Sequence, residues 1–124
     1  KLANGYTVVP DGKVLLASQT YEYALHYEVD RNSESKEIIL AKLNNYITLA
    51  RQCECLAVVF CVTEGGDLRV KTLKNWATEV VPDAYRELFL FAAIDLDALT
   101  PDAFFFSPSW VLISATKPVA LLEQ

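Results

Sequence analysis

The chain has 124 residues, of which 52% are hydrophobic and 22% charged, and its formal net charge is −5. This length and composition suit one compact globular domain. The sequence has no run of about 18 uncharged apolar residues, which excludes a membrane-spanning helix and leads us to expect no membrane partner. The acidic balance argues against nonspecific adhesion to nucleic acid, because neutralising phosphates requires clustered lysine and arginine.

The three cysteines, Cys53, Cys55 and Cys61, are odd in number and lie in or beside an apolar segment. Cys53 and Cys55 lack the second pair of ligands that a zinc site requires. We therefore interpret all three as reduced structural residues of a cytoplasmic protein.

The first structural signal is Pro10-Asp11-Gly12, which stands between two apolar runs. Proline presets φ, aspartate bonds its own backbone and glycine accepts a positive φ, so the tripeptide predicts a turn. Short strands are expected at residues 8–9 and 13–17, or one strand bent at Pro10. Asp11 either only turns the chain or also presents a carboxylate at the strand edge.

Residues 21–30, YEYALHYEVD, alternate between apolar and polar side chains and predict a second strand. One face carries Tyr23, Leu25, Tyr27 and Val29, and the other carries Ala24, His26, Glu28 and Asp30. The second face is either a chemical site or a face exposed to water, and His26 is interpreted as a surface or edge residue.

A helix is predicted from residue 34 to about residue 51, with Asn32 or Ser33 as its cap and Glu34 in its first turn. Apolar residues recur at the helical period and form the expected buried stripe: Ile39, Leu43, Tyr46, Ile47 and Ala50. Lys42 lies inside this stripe, which is unusual for a lysine. It either reaches water from the stripe while pairing with Glu28 or Asp30, or it performs chemistry.

Three further elements follow the first helix. Residues 56–62, LAVVFCV, form a continuous apolar run that predicts a central strand covered on both faces. Gly65-Gly66 precedes a second helix at 67 to roughly 80, with Leu68, Leu73, Trp76 and Ala77 as candidate buried residues, and 88–94 predicts another buried strand. Trp110 and Phe104 to Phe106 are expected in the core or at an interface. This order predicts an α/β sandwich on a mixed sheet.

Three carboxylates are candidates for one site, namely Asp11 at the bend and Glu28 and Asp30 on one strand face. Carboxylates this close repel each other by about 4 kcal/mol at an effective dielectric of 20, so such a cluster normally requires a cation. Oxygen ligands favour Mg²⁺ or Mn²⁺ and imply a phosphodiester substrate. Lys42 would then stabilise the developing negative charge.

The order of these motifs resembles the replication-relaxation family of plasmid and mobile-element proteins. The resemblance is carried by Pro10-Asp11, Glu28-x-Asp30-Arg31, Glu34 and Lys42-Leu43-x-x-Tyr46, and it continues through LAVVFCVT and FFFSPSW. Proteins of that family join an N-terminal winged-helix DNA-binding region to a domain similar to the PD-(D/E)xK nucleases. The resemblance implies that residues 1–124 are a single nuclease-like domain, the C-terminal part of a longer protein whose winged-helix region is not in this sequence.

The resemblance implies a restriction-endonuclease-like mixed sheet flanked by helices, acting on DNA as a Mg²⁺-dependent endonuclease. Asp11 and Glu28 match the two acidic residues of the motif, Asp30 would complete the metal site, and Lys42 would be catalytic. Glu34 and Tyr46 are expected to support the site, with the Tyr46 hydroxyl reaching it.

The third position of the motif departs from the family pattern, because Asp30 stands where the pattern has lysine. Some members of the superfamily carry that lysine on the following helix, where Lys42 lies. Others have lost cleavage and keep the fold for binding. The alternative function is therefore a catalytically inactive module for dimerisation, as a homodimer, or for regulation of a DNA-binding protein.

Overall fold

The computed structural model describes residues 9–17, 22–52, 56–115 and 117–122. Its strands are β1 (Gly12–Ala17), β2 (Glu22–Asp30), β3 (Leu56–Val62), β4 (Phe89–Ala93) and β5 (Val111–Leu112). Its α-helices are α1 (Lys36–Gln52), α2 (Gly66–Val80) and α3 (Pro101–Phe106), and a 3₁₀ helix spans Asp83–Leu88. Cys53 and Cys55 lie outside the described residues, as do Val8 and Tyr21 of the predicted strands.

The five strands form one sheet in the order β1-β2-β3-β4-β5. The outer pairs β1–β2 and β4–β5 are antiparallel, and the inner pairs β2–β3 and β3–β4 are parallel. Helices α1 and α2 connect the parallel strands and contribute to the same core, as expected when both crossovers have one hand. The expected α/β class, with a mixed sheet flanked by helices, is confirmed.

Helix α1 begins two residues later than predicted, and its cap is neither of the expected residues. Ser35 Oγ accepts a hydrogen bond from the Ile38 N–H at 3.4 Å, and the Ser35 carbonyl accepts one from the Ile39 N–H at 3.1 Å. Ser35 is therefore the capping residue, in place of Asn32 or Ser33. The helix buries Ile39 and the three other large residues of the predicted stripe, Leu43, Tyr46 and Ile47.

The core between the helices and the sheet is built from alternate residues of the inner strands. Val58, Phe60 and Val62 of β3 meet Phe89 and Phe91 of β4, and α1 and α2 cover them. The rings of Phe60 and Phe91 stack with centroids 5.2 Å apart. Because β2 pairs in register with β3, the even-numbered residues of β2 share this helix-covered face.

A second, smaller core covers the opposite face of the sheet. Leu25, Val59, Cys61 and Trp110 are buried there, and Phe104 and Phe105 of α3 pack against them. The Trp110 indole Nε1–H donates to the Phe104 carbonyl at 2.9 Å. The Phe104 to Phe106 block thus forms a short helix rather than a strand end, and its first two rings pack on this chain's own sheet.

Helix α2 buries Leu73 and Ala77 as expected, but its first turn differs from the prediction. Leu68 is 75% exposed, whereas its neighbour Arg69 is only 7% exposed. Residues of a helix are 100° apart, so one position separates the solvent face from the core face. None of the helices in the described ranges combines the length and the apolar content needed to cross a bilayer.

Candidate functional site

Asp11 is hydrogen-bonded both to Glu28 and to the next residue of β2, Val29, at the open end of the β1–β2 hairpin. The hairpin pairs Gly12 with Tyr27, so the residue before Gly12 lies beside the residue after Tyr27. The Asp11 N–H donates to Glu28 Oε2 at 3.0 Å, and the Val29 N–H donates to Asp11 Oδ2 at 2.7 Å. The turn predicted at Pro10-Asp11-Gly12 is a bend at Asp11 directly before β1, and this bend places Asp11 beside Glu28.

Lys42 reaches the same place from α1. Its Nζ lies 3.4 Å from Glu28 Oε1 and donates to Glu34 Oε1 at 2.8 Å. The apolar stripe around Lys42 is packed on the sheet, so the lysine stem is held and its ammonium is directed to the β2 carboxylate. Of the two partners expected for Lys42, the structure shows Glu28, and it adds Glu34.

The pKa values of this pair show the balance between burial and charge. Burial of the Glu28 side chain, which is 5% exposed, raises the pKa of Glu28, and the negative Asp11 adds to the rise. The Asp11 N–H and Lys42 oppose the shift without cancelling it. Burial by itself would lower the pKa of Lys42, but hydrogen bonding and charge from Glu34 and Glu28 outweigh burial and raise it.

Asp30 is held by a residue that the sequence analysis did not identify. Arg69 Nε donates to Asp30 Oδ2 at 2.9 Å and Arg69 Nη2 donates to Oδ1 at 3.0 Å, which is a bidentate pair. Asp30 Oδ2 also accepts from the Asn32 N–H at 3.3 Å. Both carboxylate oxygens of Asp30 are thus hydrogen-bonded to Arg69, so Asp30 does not share a site with Asp11 and Glu28. Lys42 pairs with Glu28 and Glu34 rather than with Asp30.

Arg69 could have been noticed by the same signal that identified Lys42. Arg69 precedes Leu73 and Trp76 at spacings of four and seven residues, which places it on the apolar stripe of α2. A charged residue in such a stripe indicates a buried partner. The sequence supplies that signal but does not name the partner, which lies 39 residues earlier.

The side chains of Tyr46, on α1, and His26, on β2, meet between the helix and the face of the sheet that carries Glu28, with ring centroids 5.8 Å apart. Tyr46 is 2% exposed and its hydroxyl has no hydrogen-bond partner among the described residues, and the same holds for Nδ1 of His26. Burial raises the pKa of Tyr46, and the negative charges of Glu28 and Asp11 add to the rise. Burial lowers the pKa of His26, and the positive charge of Lys13 lowers it further. The expectation that His26 is a surface residue is wrong, as is the solvent-exposed interpretation of this face.

Asp11 and Glu28 could hold a divalent cation only at a site with two carboxylate ligands, without Asp30 as a third. Asp11 and Glu28 each use one oxygen for a backbone N–H, and the second oxygen of Asp11 has no hydrogen bond within the described residues. Mg²⁺ is commonly held by one or two carboxylates, with water and phosphate oxygens as the other ligands. Across the described ranges, no group of three or more His, Cys, Asp or Glu side chains is arranged to hold a metal.

A cavity of about 530 Å³ opens at the carboxyl ends of the three parallel strands. Its walls include Arg31 and Thr63, which follow β2 and β3, and the carboxylates Glu64, Asp95 and Asp97. The Thr63 N–H donates to the Asp30 carbonyl at 2.8 Å, so the cavity adjoins the end of the site where Arg69 holds Asp30. Three acids against one arginine make this wall unfavourable for phosphate.

The fold and the site define this chain as an α/β domain with a mixed five-stranded sheet, helices on both faces, and buried charged residues under α1 and α2. Comparisons with protein-family models, with curated proteins and with solved structures found no match.

Proposed function

We propose that this chain is a nuclease-like domain of the PD-(D/E)xK type that acts on DNA, as in a replication-relaxation protein of a plasmid or mobile element. The observation that carries the proposal is the contact of Lys42 with Glu28, whose carboxylate also accepts a hydrogen bond from the Asp11 N–H. These three residues come from the bend before β1, from β2 and from α1, and each was expected at the site from the sequence.

The order of elements also supports the proposal. An antiparallel hairpin, β1–β2, carries Asp11 and Glu28, and a helix then leads to a strand parallel to β2. The resemblance implies a mixed sheet flanked by helices, and in some members of the superfamily the lysine is contributed by the following helix, as Lys42 would be here. The Glu28 carboxylate and the Lys42 ammonium meet on the helix-covered face.

The charge of the site favours a divalent cation. Glu28 and Glu34 both contact the Lys42 ammonium, Asp11 supplies a third carboxylate next to Glu28, and Asp30 is already paired with Arg69. Lys42 is the cation that Glu28 and Glu34 contact among the described residues, so two of the three negative charges are uncompensated when every group is ionised. A divalent cation would restore neutrality.

The residues of the chain would divide the chemistry as follows. Asp11 and Glu28 would hold Mg²⁺ or Mn²⁺, which when bound polarises a phosphodiester and acidifies a water molecule. Lys42 would stabilise the negative charge that develops on the phosphoryl oxygens. Glu34 would orient the Lys42 ammonium, and the buried Tyr46 would limit access of bulk water from beneath α1.

The first experiment is a calorimetric titration with Mn²⁺ or Mg²⁺. Glu28→Gln and Asp11→Asn are the informative variants, because each keeps an oxygen that can accept the existing backbone hydrogen bond. Both variants should lose at least about tenfold in affinity. The matched control is Glu79→Gln, a surface acid that pairs with Lys36, and it should bind like the parent. Equal, negligible binding by the parent and the variants would reject the metal site.

The second experiment measures nicking of supercoiled plasmid DNA with the added cation. Lys42→Ala should lower the cleavage rate by about a hundredfold to a thousandfold, because it removes a charge aimed at the transition state. Lys36→Ala, on the same helix but paired with the distant Glu79, serves as the control. No cleavage by the parent protein would reject the catalytic proposal.

A second candidate is a catalytically inactive module that dimerises or regulates a DNA-binding protein. It is favoured by the diversion of Asp30 into the Arg69 pair and by the acidic wall of the adjoining cavity. An inactive module would bind neither cation nor DNA with dependence on Glu28. Sedimentation equilibrium of the parent, which would detect a homodimer, together with absent cleavage would favour this candidate.

A further inference from the structure

Arg69 is the most constrained charged residue in the described part of α2. It is 7% exposed, its partner Asp30 is 2% exposed, and two parallel hydrogen bonds of 2.9 and 3.0 Å join them. The guanidinium also lies over the ring of Trp76, 5.1 Å from its centroid. Salt bridge and aromatic face together fix the plane of the guanidinium.

That fixed plane directs a third hydrogen bond to the β2–α1 connection. Arg69 Nη2 donates to the backbone carbonyl of Glu34 at 3.2 Å, two residues before α1 begins. The Glu34 side chain in turn accepts from Lys42 at 2.8 Å, and Lys42 lies 3.4 Å from Glu28. Arg69 thus contacts the main chain of the residue whose carboxylate holds Lys42.

The backbone at the start of α2 is shaped for this contact. Gly65 has φ of 97°, and a Cβ there would lie 2.7 Å from Cβ of Arg69 and 3.0 Å from Nδ2 of Asn32. Only glycine combines this φ with so close an approach. The first turn of α2 is therefore pressed against the connection that carries Glu34.

We propose that Arg69 is a positioning residue that, through Glu34, holds the Lys42 ammonium beside Glu28. Arg69 touches neither Glu28 nor Lys42 and would not contact a substrate at that site; it fixes the Glu34 carbonyl, and the Glu34 carboxylate fixes Lys42. The catalytic consequence rests on the proposed function, whereas the placement of Lys42 does not. The two can therefore be tested separately.

The decisive variant is Arg69→Lys, with Arg69→Ala as a second variant. A lysine ammonium can pair with Asp30, but it has no planar fork to reach Glu34 at the same time. The matched control is Arg86→Lys, because Arg86 likewise donates to main-chain carbonyls, those of Val81 and Thr78, far from the site. The readout is the ¹³Cε and ¹⁵Nζ NMR signal of Lys42, assigned by its loss in Lys42→Arg.

We expect Arg69→Lys to shift the Lys42 signal and to leave the Trp110 indole signal unchanged, with Arg86→Lys moving neither. If the domain cleaves DNA, Arg69→Lys should also lower kcat by about tenfold to a hundredfold with little change in KM. An unchanged Lys42 signal in folded Arg69→Lys would overturn the proposal. A shift of the Trp110 signal as well would mean a merely structural role and would also overturn it.

Failure of the proposed function would look different from failure of this inference. A parent protein that never cleaves DNA, together with a Lys42 signal that moves in Arg69→Lys, would remove the nuclease proposal and support the positioning role. Cleavage by the parent that is unaffected by Arg69→Lys, with an unmoved Lys42 signal, would support the nuclease proposal and reject the positioning role of Arg69.

Discussion

The ring of Tyr27 lies over Gly12, its cross-strand partner, in the space that a side chain at residue 12 would occupy. This contact stands next to the hydrogen bond from the Asp11 N–H to Glu28, since Asp11 precedes Gly12 and Glu28 follows Tyr27. Packing of an aromatic ring on a glycine of the neighbouring strand helps to fix register. The contact therefore contributes to the alignment of the two acids.

Gly12→Ala should displace the Tyr27 ring, because the new Cβ would overlap its outer atoms. We expect a loss of roughly 1–3 kcal/mol in the free energy of unfolding, measured by urea denaturation. The control is the same substitution in a Tyr27→Ala background, where the obstruction is gone and the loss should be much smaller. Equal losses in the two backgrounds would contradict this account.

Removing Arg69 should destabilise the fold severely, because Asp30 would keep a buried charge without a partner. Arg69→Ala is expected to lower the free energy of unfolding by about 3–5 kcal/mol, whereas the exposed pair of Lys36 and Glu79 contributes at most about 1 kcal/mol. Asp30→Leu combined with Arg69→Met should recover most of the loss. Chemical denaturation of the three proteins measures this, and a loss under about 1 kcal/mol for Arg69→Ala would contradict the burial argument.

Glu28 should make stability depend on pH. Its pKa in the folded state is raised above the ordinary value of 4.5, so its contribution is fully present below pH 4.5 and is lost as pH rises through the raised pKa. Glu28→Gln has no charge to bury and should gain in stability relative to the parent over that interval. Urea denaturation at a series of pH values, without added metal, measures the difference. A parent protein whose stability rises relative to that of Glu28→Gln as pH rises would contradict this prediction.

Tyr46→Phe should raise stability. The Tyr46 hydroxyl is buried without a hydrogen-bond partner among the described residues, and an unsatisfied buried hydroxyl costs about 1–3 kcal/mol. The expected gain in the free energy of unfolding is therefore about 1 kcal/mol. Tyr85→Phe, at a half-buried tyrosine under Arg51, is the control and should change stability by less than about 0.5 kcal/mol. A loss of stability in Tyr46→Phe would indicate that the hydroxyl has a bonded partner.

Cys61 should be unreactive in the folded protein. Burial raises the pKa of its thiol to about 12, with a further contribution from Asp11, so almost no thiolate exists near neutral pH. In a Cys53→Ser, Cys55→Ser background, Ellman's reagent should modify Cys61 only after addition of denaturant. An added exposed cysteine, Ala98→Cys, should react at once in the native state. Rapid native reaction of Cys61 would contradict its buried position.

The strands and helices could be predicted from the sequence wherever an apolar pattern was long. The continuous apolar run of β3 predicted both ends of the strand correctly, Leu56 and Val62. The apolar stripe of α1 predicted its four buried residues and indicated that Lys42 is unusually placed. Hydrophobic burial dominates these segments, so local pattern and final structure agree.

The pairing of Lys42 with Glu28 was one of two expected from the sequence, but the pairing of Asp30 with Arg69 could not be predicted. Asp30 was assigned to a metal site, but a distant arginine binds it, and nothing local in residues 21–30 specifies that partner. The cap of α1 was likewise undetermined, since Asn32, Ser33 and Ser35 all have capping side chains and the tertiary position of the connection selects Ser35. The metal, the DNA substrate and the family membership stay predictions.

The order of the strands bears on how the chain folds. Neighbours in the sheet are also neighbours in the sequence, so no strand must be inserted between two that have already paired. Each strand therefore pairs with the one that precedes it in the chain, and helices α1 and α2 lie in the connections between the parallel pairs. Glu28 of β2 and Lys42 of α1 belong to consecutive elements, so their contact closes a single strand-to-helix connection.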